Sequence, residues 1–372
     1  MRVAFVHSAL AFYRVSLFNA LSKRYDVEFF FHKKYGDASE KPRFKYRMLR
    51  GVPVPGISDY MYPLTIILRL IKGRYDLFIG AGAAQLDTMA AFMVAKLLRK
   101  PFVLWNVTWF YNPTLLSKLR YPIWRRIVLG SDSLVLPGKR AKMFHMAVGV
   151  PEDRISTSPN TSELEPDEVS NGSLKASLGF RDEDRIILCF SRISREKGLE
   201  YLVDSFRYIN RERVKLLIAT TLPPSEEYLH ELENRAQKIG RGNIIVNVFH
   251  GDQKKQLYQM CDVFVLPSVT RPDVGPDVWG MTLNEALSMG KPLVATTSVG
   301  GAYDMIANGK NGYMVKPRDS KTLGKALRML LDSPNLSSMG EHSREMHLAG
   351  FRLIHEVQGF CDAVEKARKL GP

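Results

Sequence analysis

The stretch DVFVLPSVTRPDVGPDVWGMTLNEALSMGKPLVATT, residues 262–297, sets two short apolar runs on either side of a helix-like segment. The runs DVFVLPS (262–268) and PLVATT (292–297) are rich in β-branched residues. A strand, a helix and a second strand in this order predict parallel neighbours in one sheet. Two acids, Asp277 and Glu285, flank a Trp-Gly turn and the helix start. They are either capping groups of that helix or groups that contact a substrate.

The same alternation continues outward along the chain in both directions. Further strand-like runs lie at 185–191, 214–221 and 243–249 in the second half, and at 2–7, 27–32, 76–82, 101–107 and 132–138 in the first. Because helix-like segments separate these runs, we predict an α/β protein whose parallel sheets are covered on both faces.

A polar segment divides the chain into two domains of ordinary size. Residues 159–175, PNTSELEPDEVSNGSLK, show no apolar period and are interpreted as a linker. We predict Rossmann-like domains at 1–165 and 176–350, and a last amphipathic helix at 351–372 that packs back toward the first domain. We expect the two domains to face each other across a cleft, because open parallel sheets bind ligands beyond the carboxyl ends of their strands.

The net charge of +15 is carried entirely by the first part of the chain. Residues 1–160 contain 25 Lys and Arg against 10 Asp and Glu, whereas residues 161–372 contain 28 of each sign. Such an asymmetry indicates an anionic partner for one half only. Nucleic acid and an anionic membrane surface are the two candidates, and a solvated basic surface without a partner is the alternative.

The cysteine content and the apolar runs limit the class of protein. Cys189, Cys261 and Cys361 are few and far apart, which excludes a disulfide framework or a CxxC metal site and fits a reducing cytosol. No apolar run reaches the roughly 18 residues of a membrane span, and the start of the chain lacks a signal-peptide pattern. We therefore expect a cytoplasmic protein.

The stretch FSRISREKG (190–198) places two cations, Arg192 and Lys197, where a strand passes into a helix. Backbone N–H groups at such a junction favour an anion, and an Arg with a Lys suits a diphosphate. The alternative is a surface loop in which Glu196 pairs locally. A glycine pair in TSVGGAYDMI (297–306) permits close backbone approach or simply makes a turn. The absence of a GxGxxG pattern argues against a dinucleotide site.

From about residue 185 to 345 the chain resembles the group 1 (family 4) glycosyltransferases of the GT-B fold. The resemblance rests on FSRISREKG, DVFVLPS, WGMTLNEALSMGKPLVAT, GGAYDMI with NGYMVKP, and a helix at 322–331, in the order and spacing of the family. The N-terminal half matches in outline only. The resemblance implies retaining transfer from a nucleotide-diphosphate sugar in cell-surface glycan or polysaccharide synthesis, with no cofactor and no metal.

The resemblance also implies roles for residues of the donor site. Glu285 matches the acid that hydrogen-bonds the nucleotide ribose, and Asp277 matches the acid that contacts hydroxyls of the donor sugar. The family norm at the position of Asp277 is Glu. Because Asp is shorter, the identity of the donor sugar is left open. The other matches are Arg192 and Lys197, which hold the diphosphate and stabilise charge on its β-phosphate, and the turn of Gly280, Met281 and Thr282, whose backbone amides meet sugar and phosphate.

Four residues of the first half are candidates for the acceptor side. His7, Tyr13 and Arg14 follow the first strand, and Asn106 stands where some family members carry a histidine. His7, Tyr13 and Arg14 each have a purely structural alternative.

The basic half of the chain suits a membrane surface. The helix-like segment TLLSKLRYPIWRRIVL (114–129) mixes cations with apolar residues, and KPRFKYRMLR (41–50), expected as a loop, adds five more cations. Such a surface fits an anionic bilayer and a lipid-linked or other glycan acceptor, and it places the protein at the inner face of the membrane. The alternative for the helix is that its apolar face packs on its own sheet.

Two other classes of protein share part of these features. An epimerase or phosphorylase related to the GT-B enzymes would have the same fold, but the sequence does not identify the cofactor-binding lysine that a phosphorylase needs. A basic nucleic-acid-binding α/β protein would explain the charge, but it would leave the C-terminal motifs unexplained. Because helix-turn-helix, RNP-like and aromatic–basic signatures are absent, we expect no nucleic-acid partner.

Overall fold

The computed structural model shows an α/β protein made of two compact units. The described residues are 1–35, 41–50, 52–53, 61–62, 65–111, 114–162, 164–166, 173–209, 212–239, 244–250 and 253–371. Unit 1 consists of residues 1–159 and 353–372, and unit 2 of residues 160–352. Within the described ranges, every helix is too short or too polar to span a bilayer.

Unit 1 is built on a parallel sheet. Its described strands are β1 (Arg2–Val6), β2 (Ala9–Ala11), β3 (Asp26–Phe31), β4 (Lys33–Tyr35), β5 (Lys45–Met48), β6 (Val52–Pro53), β7 (Met61–Tyr62), β8 (Leu77–Ala81), β9 (Phe102–Trp105), β10 (Ser133–Leu136) and β11 (Ile155–Thr157). The main sheet has the order β11-β10-β9-β8-β1-β3-β5, and its neighbours are parallel. The chain runs from β1 outward to β3 and β5 and then crosses to β8, so the strand order reverses between β1 and β8.

Helices cover both faces of this sheet. They are α1 (Val15–Ser22), α2 (Ile66–Lys72), α3 (Leu86–Leu97), α4 (Leu115–Gly130), α5 (Lys139–Val148) and the C-terminal helix (Leu353–Leu370). Alternate residues of β1 explain the two layers. Val3 and Phe5 pack in one core with α1 and the C-terminal helix, whereas Ala4 and Val6 pack in a second core with α2 and α3. The run VAFV is therefore apolar throughout, as strands of a doubly covered parallel sheet are.

The segment 41–50, predicted as a loop, contains β5 at the edge of the sheet. That prediction was wrong for residues 45–48 because all four residues of β5 are exposed and show no apolar period. The strand is held by pairing with β3, and Lys45 Nζ lies 3.0 Å from Asp26 Oδ1. Charged side chains on an edge strand also discourage pairing with other chains.

Unit 2 repeats the same architecture with its own sheet. Its described strands are β12 (Arg185–Phe190), β13 (Val214–Thr220), β14 (Ile244–Val248), β15 (Val263–Leu266), β16 (Leu293–Thr296) and β17 (Gly312–Val315). They are parallel in the order β14-β13-β12-β15-β16-β17, which reverses between β12 and β15. The described helices are α6 (Ser173–Ser177), α7 (Leu199–Ser205), α8 (Glu226–Lys238), α9 (Lys254–Met260), α10 (Met281–Ser288), α11 (Ala302–Met305), α12 (Ser320–Leu331) and α13 (Leu336–Gly350).

The described residues 160–162 and 164–166 of the predicted linker belong to unit 2. Trp279 Nε1 donates to the carbonyl oxygen of Asn160 at 2.7 Å, and Glu165 forms an ion pair with Arg344 at 2.6 Å. These bonds hold the first residues of unit 2 to the rest of that unit. Part of the predicted linker, residues 167–172, lies outside the described residues.

Candidate functional site

The candidate site of unit 2 lies at the reversal point of its sheet, where β12 and β15 are neighbours. Ligands of open parallel sheets bind outside the carboxyl ends of the strands at such a point. Two segments leave the sheet there, residues 191–198 after β12 and residues 267–285 after β15. Together they carry all the residues that the sequence predicts for the donor site.

Lys197 and Asp277 form an ion pair in the middle of this site. Lys197 Nζ lies 2.6 Å from Asp277 Oδ2, and the two side chains are only 15% and 12% exposed. Ser268 Oγ donates to the same carboxylate oxygen at 3.1 Å. The backbone of Asp277 is fixed as well, since its N–H donates to Ser298 O and its carbonyl accepts from Gly300 N. The carboxylate is therefore held in place before any ligand arrives.

Arg192 is the more accessible of the two predicted cations. Its side chain is 62% exposed, and its guanidinium lies 3.1 Å from Glu196, which is the local pairing considered as the alternative for this loop. An exposed ion pair of this kind contributes little free energy. A ligand anion can therefore replace Glu196 as the partner of Arg192 at small cost.

The loop that carries both cations is held against the loop after β15. Val269 N donates to Glu196 O at 2.9 Å. Gly198 has φ +63°, and a Cβ at this position would stand 2.3 Å from the carbonyl oxygen of Pro267. Only glycine fits such a close approach with a left-handed backbone.

The turn predicted to face sugar and phosphate is the start of α10. Gly280 has φ +83° and precedes the helix, and no side chain caps it. A Cβ on Gly280 would stand 2.8 Å from a methyl carbon of Val299. The first N–H groups of a helix have no acceptor inside the helix and attract anions. Met281 and Thr282 supply two such groups in the first turn of α10.

Glu285 lies on α10 and is almost fully buried, at 4% exposure. Its carboxylate accepts hydrogen bonds from Lys254 Nζ at 2.5 Å, Tyr258 OH at 2.8 Å and Ser162 Oγ at 3.4 Å. Burial and the Glu285 carboxylate hold the pKa of Tyr258 well above its usual value, so Tyr258 remains a donor. A capping side chain accepts hydrogen bonds from backbone N–H groups of the first helical turn. Because the three partners of Glu285 are side chains, the structure does not support the interpretation of Glu285 as a helix cap.

Sequence reasoning missed Lys254 and Tyr258. Both lie on α9, and Lys254 also stands 5.4 Å from the ring centre of Phe190 at the end of β12. In the sequence, Lys254 is one of two adjacent lysines, and Tyr258 belongs to the apolar period of a short helix. The one available signal was that α9 leads into β15, so its residues approach the same part of the sheet.

The glycine pair of residues 297–306 contacts the site through its backbone. Gly300 N donates to Asp277 O, and Gly301 N donates to Trp279 O. A Cβ on Gly301 would stand 2.4 Å from that Trp279 oxygen. The pair therefore allows close approach of two loops and fixes the segment that carries Asp277.

The two acids of the opening stretch have separate partners. In the described residues, no hydrogen bond or ion pair joins Asp277 to Glu285, and each is neutralised by its own lysine. This arrangement differs from a pair of acids that act on one bond. It is instead suited to two polar contacts along one extended ligand.

Two of the predicted acceptor-side residues have structural partners in unit 1. Arg14 is buried, its guanidinium lies 2.6 Å from Glu356 of the C-terminal helix, and it stacks over Trp105. Asn106 is buried and lies 3.0 Å from Nε2 of His145. Burial lowers the pKa of His145 to about 4, so this imidazole is neutral. For Arg14 and Asn106 a role toward an acceptor stays a prediction.

His7 and Tyr13 are the other two predicted acceptor-side residues. Tyr13 is exposed, in a short 3-10 turn after β2. His7 follows β1, and its Nδ1 accepts a hydrogen bond from Ala9 N at 3.1 Å. Burial and the charge of Arg14 lower the pKa of His7 to about 4. The structure brings His7 and Arg14 to the same indole ring, that of Trp105.

The described side chains were also compared with the requirements of a metal site. In the part of the chain that the structure describes, no group of three or more His, Cys, Asp or Glu residues is arranged to hold an ion. At the unit 2 site, Asp277 and Glu285 are each paired with a lysine, and the exposed Arg192 is paired with Glu196.

Residues 171–346 match the family described as "Glycosyl transferases group 1". An uncharacterized glycosyltransferase of Methanocaldococcus jannaschii is 31% identical over 154 residues, which are 41% of this chain and 37% of the relative. The GDP-mannose-dependent alpha-(1-6)-phosphatidylinositol monomannoside mannosyltransferase of Mycolicibacterium smegmatis is 28% identical over 217 residues, 57% of this chain and 53% of the relative. The chain thus spans about half the length or less of these two curated relatives.

Among solved structures, Anabaena HepE in complex with UDP superposes with a TM-score of 0.77. The match covers 98% of this chain and 100% of that one at 16% identity. At this identity the similarity shows that the two chains share a fold.

Proposed function

The chain belongs to the group 1 glycosyltransferases through residues 171–346 and has their GT-B fold, and on that premise we propose that it transfers a sugar from a nucleotide-diphosphate sugar to a glycan acceptor. The donor binds at the reversal point of the unit 2 sheet. The observation that carries the proposal is the Lys197–Asp277 ion pair, next to Arg192 and the start of α10. Both cations have partners that a diphosphate can replace.

The chemistry of the step follows from the charges. When the bond between the sugar and the diphosphate breaks, negative charge builds on the β-phosphate. Arg192, Lys197 and the first N–H groups of α10 are positive groups that stabilise this charge, and groups fixed in advance do so most effectively. We propose that they make a metal unnecessary. The acceptor oxygen bonds to the anomeric carbon on the face from which the diphosphate leaves and gives its proton to the departing phosphate oxygen. The anomeric configuration is then retained, as the family resemblance implies.

The acids bind the two ends of the donor. Asp277 accepts hydrogen bonds from sugar hydroxyls and Glu285 from the ribose, while Lys254 and Tyr258 hold the Glu285 carboxylate in position. The relatives leave the nucleotide open. One is named for GDP-mannose, whereas HepE has been solved with UDP and with UDP-glucose.

The acceptor is a lipid-linked glycan, and unit 1 contacts an anionic membrane. Support comes from α4, on which Leu119 and Ile123 are 69% and 52% exposed one turn apart. Lys118, Arg125 and Arg126 are exposed on the same helix, so apolar and cationic groups share one surface. An amphipathic helix of this composition binds anionic lipid through insertion of its apolar side chains and through attraction of its cations to the lipid headgroups. This location corresponds to the inner face of the membrane.

A thermal-shift screen with UDP, GDP and ADP tests the donor site. We expect one of the three to raise the Tm of the wild type, and Arg192→Ala and Lys197→Ala to abolish that rise. Lys321→Ala, an exposed lysine on α12, is the matched control and should keep it. If no nucleoside diphosphate stabilises the wild-type chain, the proposal is wrong.

The product distinguishes this function from the alternatives. A transferase given the right nucleotide sugar releases the nucleoside diphosphate and, with water as acceptor, the free sugar. An epimerase would return a nucleotide sugar with inverted configuration at one carbon and release no diphosphate. A phosphorylase would require inorganic phosphate. Analysis of the nucleotide product by chromatography separates the three.

A further inference from the structure

The sheet of unit 1 has a reversal point of its own, between β1 and β8, and three polar side chains gather there. His7 follows β1, His32 follows β3, and Asp87 lies in the first turn of α3, after β8. The strands β8, β1 and β3 are consecutive neighbours, and their carboxyl ends meet at one edge. By the same rule that was applied to the donor site, this edge is the expected position of a ligand of unit 1.

The pair of His32 and Asp87 is almost completely buried but incompletely bonded. His32 Nε2 lies 3.3 Å from Asp87 Oδ2, with side-chain exposures of 5% and 3%. The second oxygen of Asp87 accepts from Thr88 N at 2.7 Å. Within the described residues, neither ring nitrogen of His32 nor Oδ2 of Asp87 has a partner in hydrogen-bond geometry. Buried polar atoms without a partner are rare and costly, and they mark a place for water or a ligand group.

His7 completes the set with a donor of known orientation. Because its Nδ1 accepts from Ala9 N, the proton of the neutral ring is on Nε2, which can donate. Burial and Arg14 keep the ring neutral by lowering its pKa to about 4. The nearby Asp87 carboxylate can accept. A hydroxyl group donates one hydrogen bond and accepts up to two, so it matches a donor and an acceptor side by side.

We propose that His7, His32 and Asp87 form the subsite that binds a hydroxyl group of the acceptor sugar. This inference rests on the proposed transferase function. It assigns the contact with the acceptor hydroxyl to these three residues rather than to Arg14 and Asn106, whose side chains are bonded to Glu356 and His145. The role of the three residues is to bind and orient the hydroxyl, which keeps its proton in this complex.

Histidine side-chain NMR on the full chain tests the subsite directly. The protein, labelled with carbon-13 at the histidine ring, is titrated with the methyl glycosides of glucose, galactose, mannose and N-acetylglucosamine. We expect at least one glycoside to shift the signals of His7 and His32. The signal of His145 should stay unchanged, because that ring is buried between Asn106 and the Ala141 carbonyl. Single His→Gln variants assign the signals.

Variants separate a ligand site from a structural pair. Asp87→Asn keeps the size of the side chain, and we expect it to lower the affinity for the glycoside by roughly tenfold, the effect of losing about 1.4 kcal/mol. Stabilisation by a nucleoside diphosphate, which binds in unit 2, should be unchanged. His7→Gln is the second variant, in case Asp87→Asn fails to fold.

The outcomes also separate this inference from the donor-site proposal. If a nucleoside diphosphate stabilises the protein but no glycoside shifts His7 or His32, the three residues hold only a buried water and the inference is wrong. A glycoside that shifts the signals equally in wild type and Asp87→Asn would also overturn it. If no nucleoside diphosphate binds, the proposed function fails first.

Discussion

Each acid of the donor site is paired with a lysine in the unliganded protein, and the pairing has a consequence for ligand affinity. In the unliganded protein, Lys197 forms an ion pair with Asp277. In the proposed complex, the same ammonium group binds the diphosphate. Coulomb attraction at 2.6 Å in a mostly buried site is substantial even when water screens part of it. A ligand phosphate must therefore compete with a carboxylate that is already in place.

The variant Asp277→Asn tests this competition. We expect it to bind the free nucleoside diphosphate more tightly than the wild type, by about 1 kcal/mol or roughly fivefold, because Lys197 loses its charged partner. Turnover of the nucleotide sugar should fall, because the contact to the sugar is weakened. Calorimetric titration with UDP and GDP measures the first effect. Asp273→Asn, an exposed acid of the same loop paired with Arg271, is the matched control. Weaker binding of the diphosphate by Asp277→Asn would contradict the competition.

The neutral, buried His145 makes the stability of the protein sensitive to acid. Its folded-state pKa is about 4 against an ordinary value of 6.5, so the unfolded chain binds a proton that the folded chain does not. The contribution of His145 to the free energy of unfolding is therefore fully present above the pKa of this residue in the unfolded chain, and it is lost as the pH falls. Between about pH 7 and about pH 5 this one residue should cost about 2 kcal/mol.

Urea unfolding at the two pH values measures this loss. His145→Gln removes the titrating group, and the amide oxygen of Gln can still accept from Asn106. The pH dependence of the variant should be smaller than that of the wild type by about the same 2 kcal/mol. An unchanged dependence would mean that His145 is protonated in the folded protein.

At the scale of elements, two glycines with a left-handed backbone have different surroundings. Gly198 ends the turn that carries Lys197, and a Cβ there would collide with the carbonyl oxygen of Pro267. Gly309 has a similar φ of +78°, but a Cβ there would meet no atom of the described residues within 4 Å. The comparison separates backbone strain from steric collision.

We expect Gly309→Ala to cost about 1 kcal/mol of stability, from the left-handed backbone alone. Gly198→Ala should cost more, by about 1–3 kcal/mol, because the loop must also move away from Pro267. The same movement displaces Lys197, so nucleoside diphosphate binding should weaken in Gly198→Ala only. Denaturant unfolding and thermal shift measure the two effects. Equal costs for the two variants would show that the collision relaxes freely.

The elements that sequence predicts well are those with a strong apolar pattern. Each strand that an apolar run predicts is found at the predicted place. Strand β5 was missed because an exposed edge strand carries no such pattern. At the site, Lys197 and Asp277 could be predicted from motifs that follow strands. Sequence motifs could not predict the roles of four other residues, because each role depends on partners that are distant in sequence. These residues are Lys254, Tyr258, His32 and Asp87.

At the scale of the whole molecule, the two units differ in charge and in surface. The positive charge lies in residues 1–160, and the exposed apolar side chains are also concentrated in unit 1. The sequence predicted the charge asymmetry but not which apolar residues stay exposed. On α4, Ile127 and Val128 pack into the core. This part of the helix agrees with the alternative interpretation, in which its apolar face packs on its own sheet. Leu119 and Ile123, nearer the start of the helix, remain exposed.

Vesicle co-sedimentation tests whether this surface binds lipid. We expect the full chain to bind vesicles that contain phosphatidylglycerol and to bind pure phosphatidylcholine vesicles weakly. Replacing Arg125 and Arg126 by Gln should weaken binding to anionic vesicles by about 2 kcal/mol, roughly 30-fold, at about 1 kcal/mol for each cation near the surface.

Leu119→Glu should weaken binding on both kinds of vesicle, because it removes an inserted apolar group and adds a repelled charge. Met329→Glu is the control and should have no effect, because Met329 is an exposed apolar residue on α12 of unit 2. Equal binding to neutral and anionic vesicles would show that the cations of unit 1 serve a different partner.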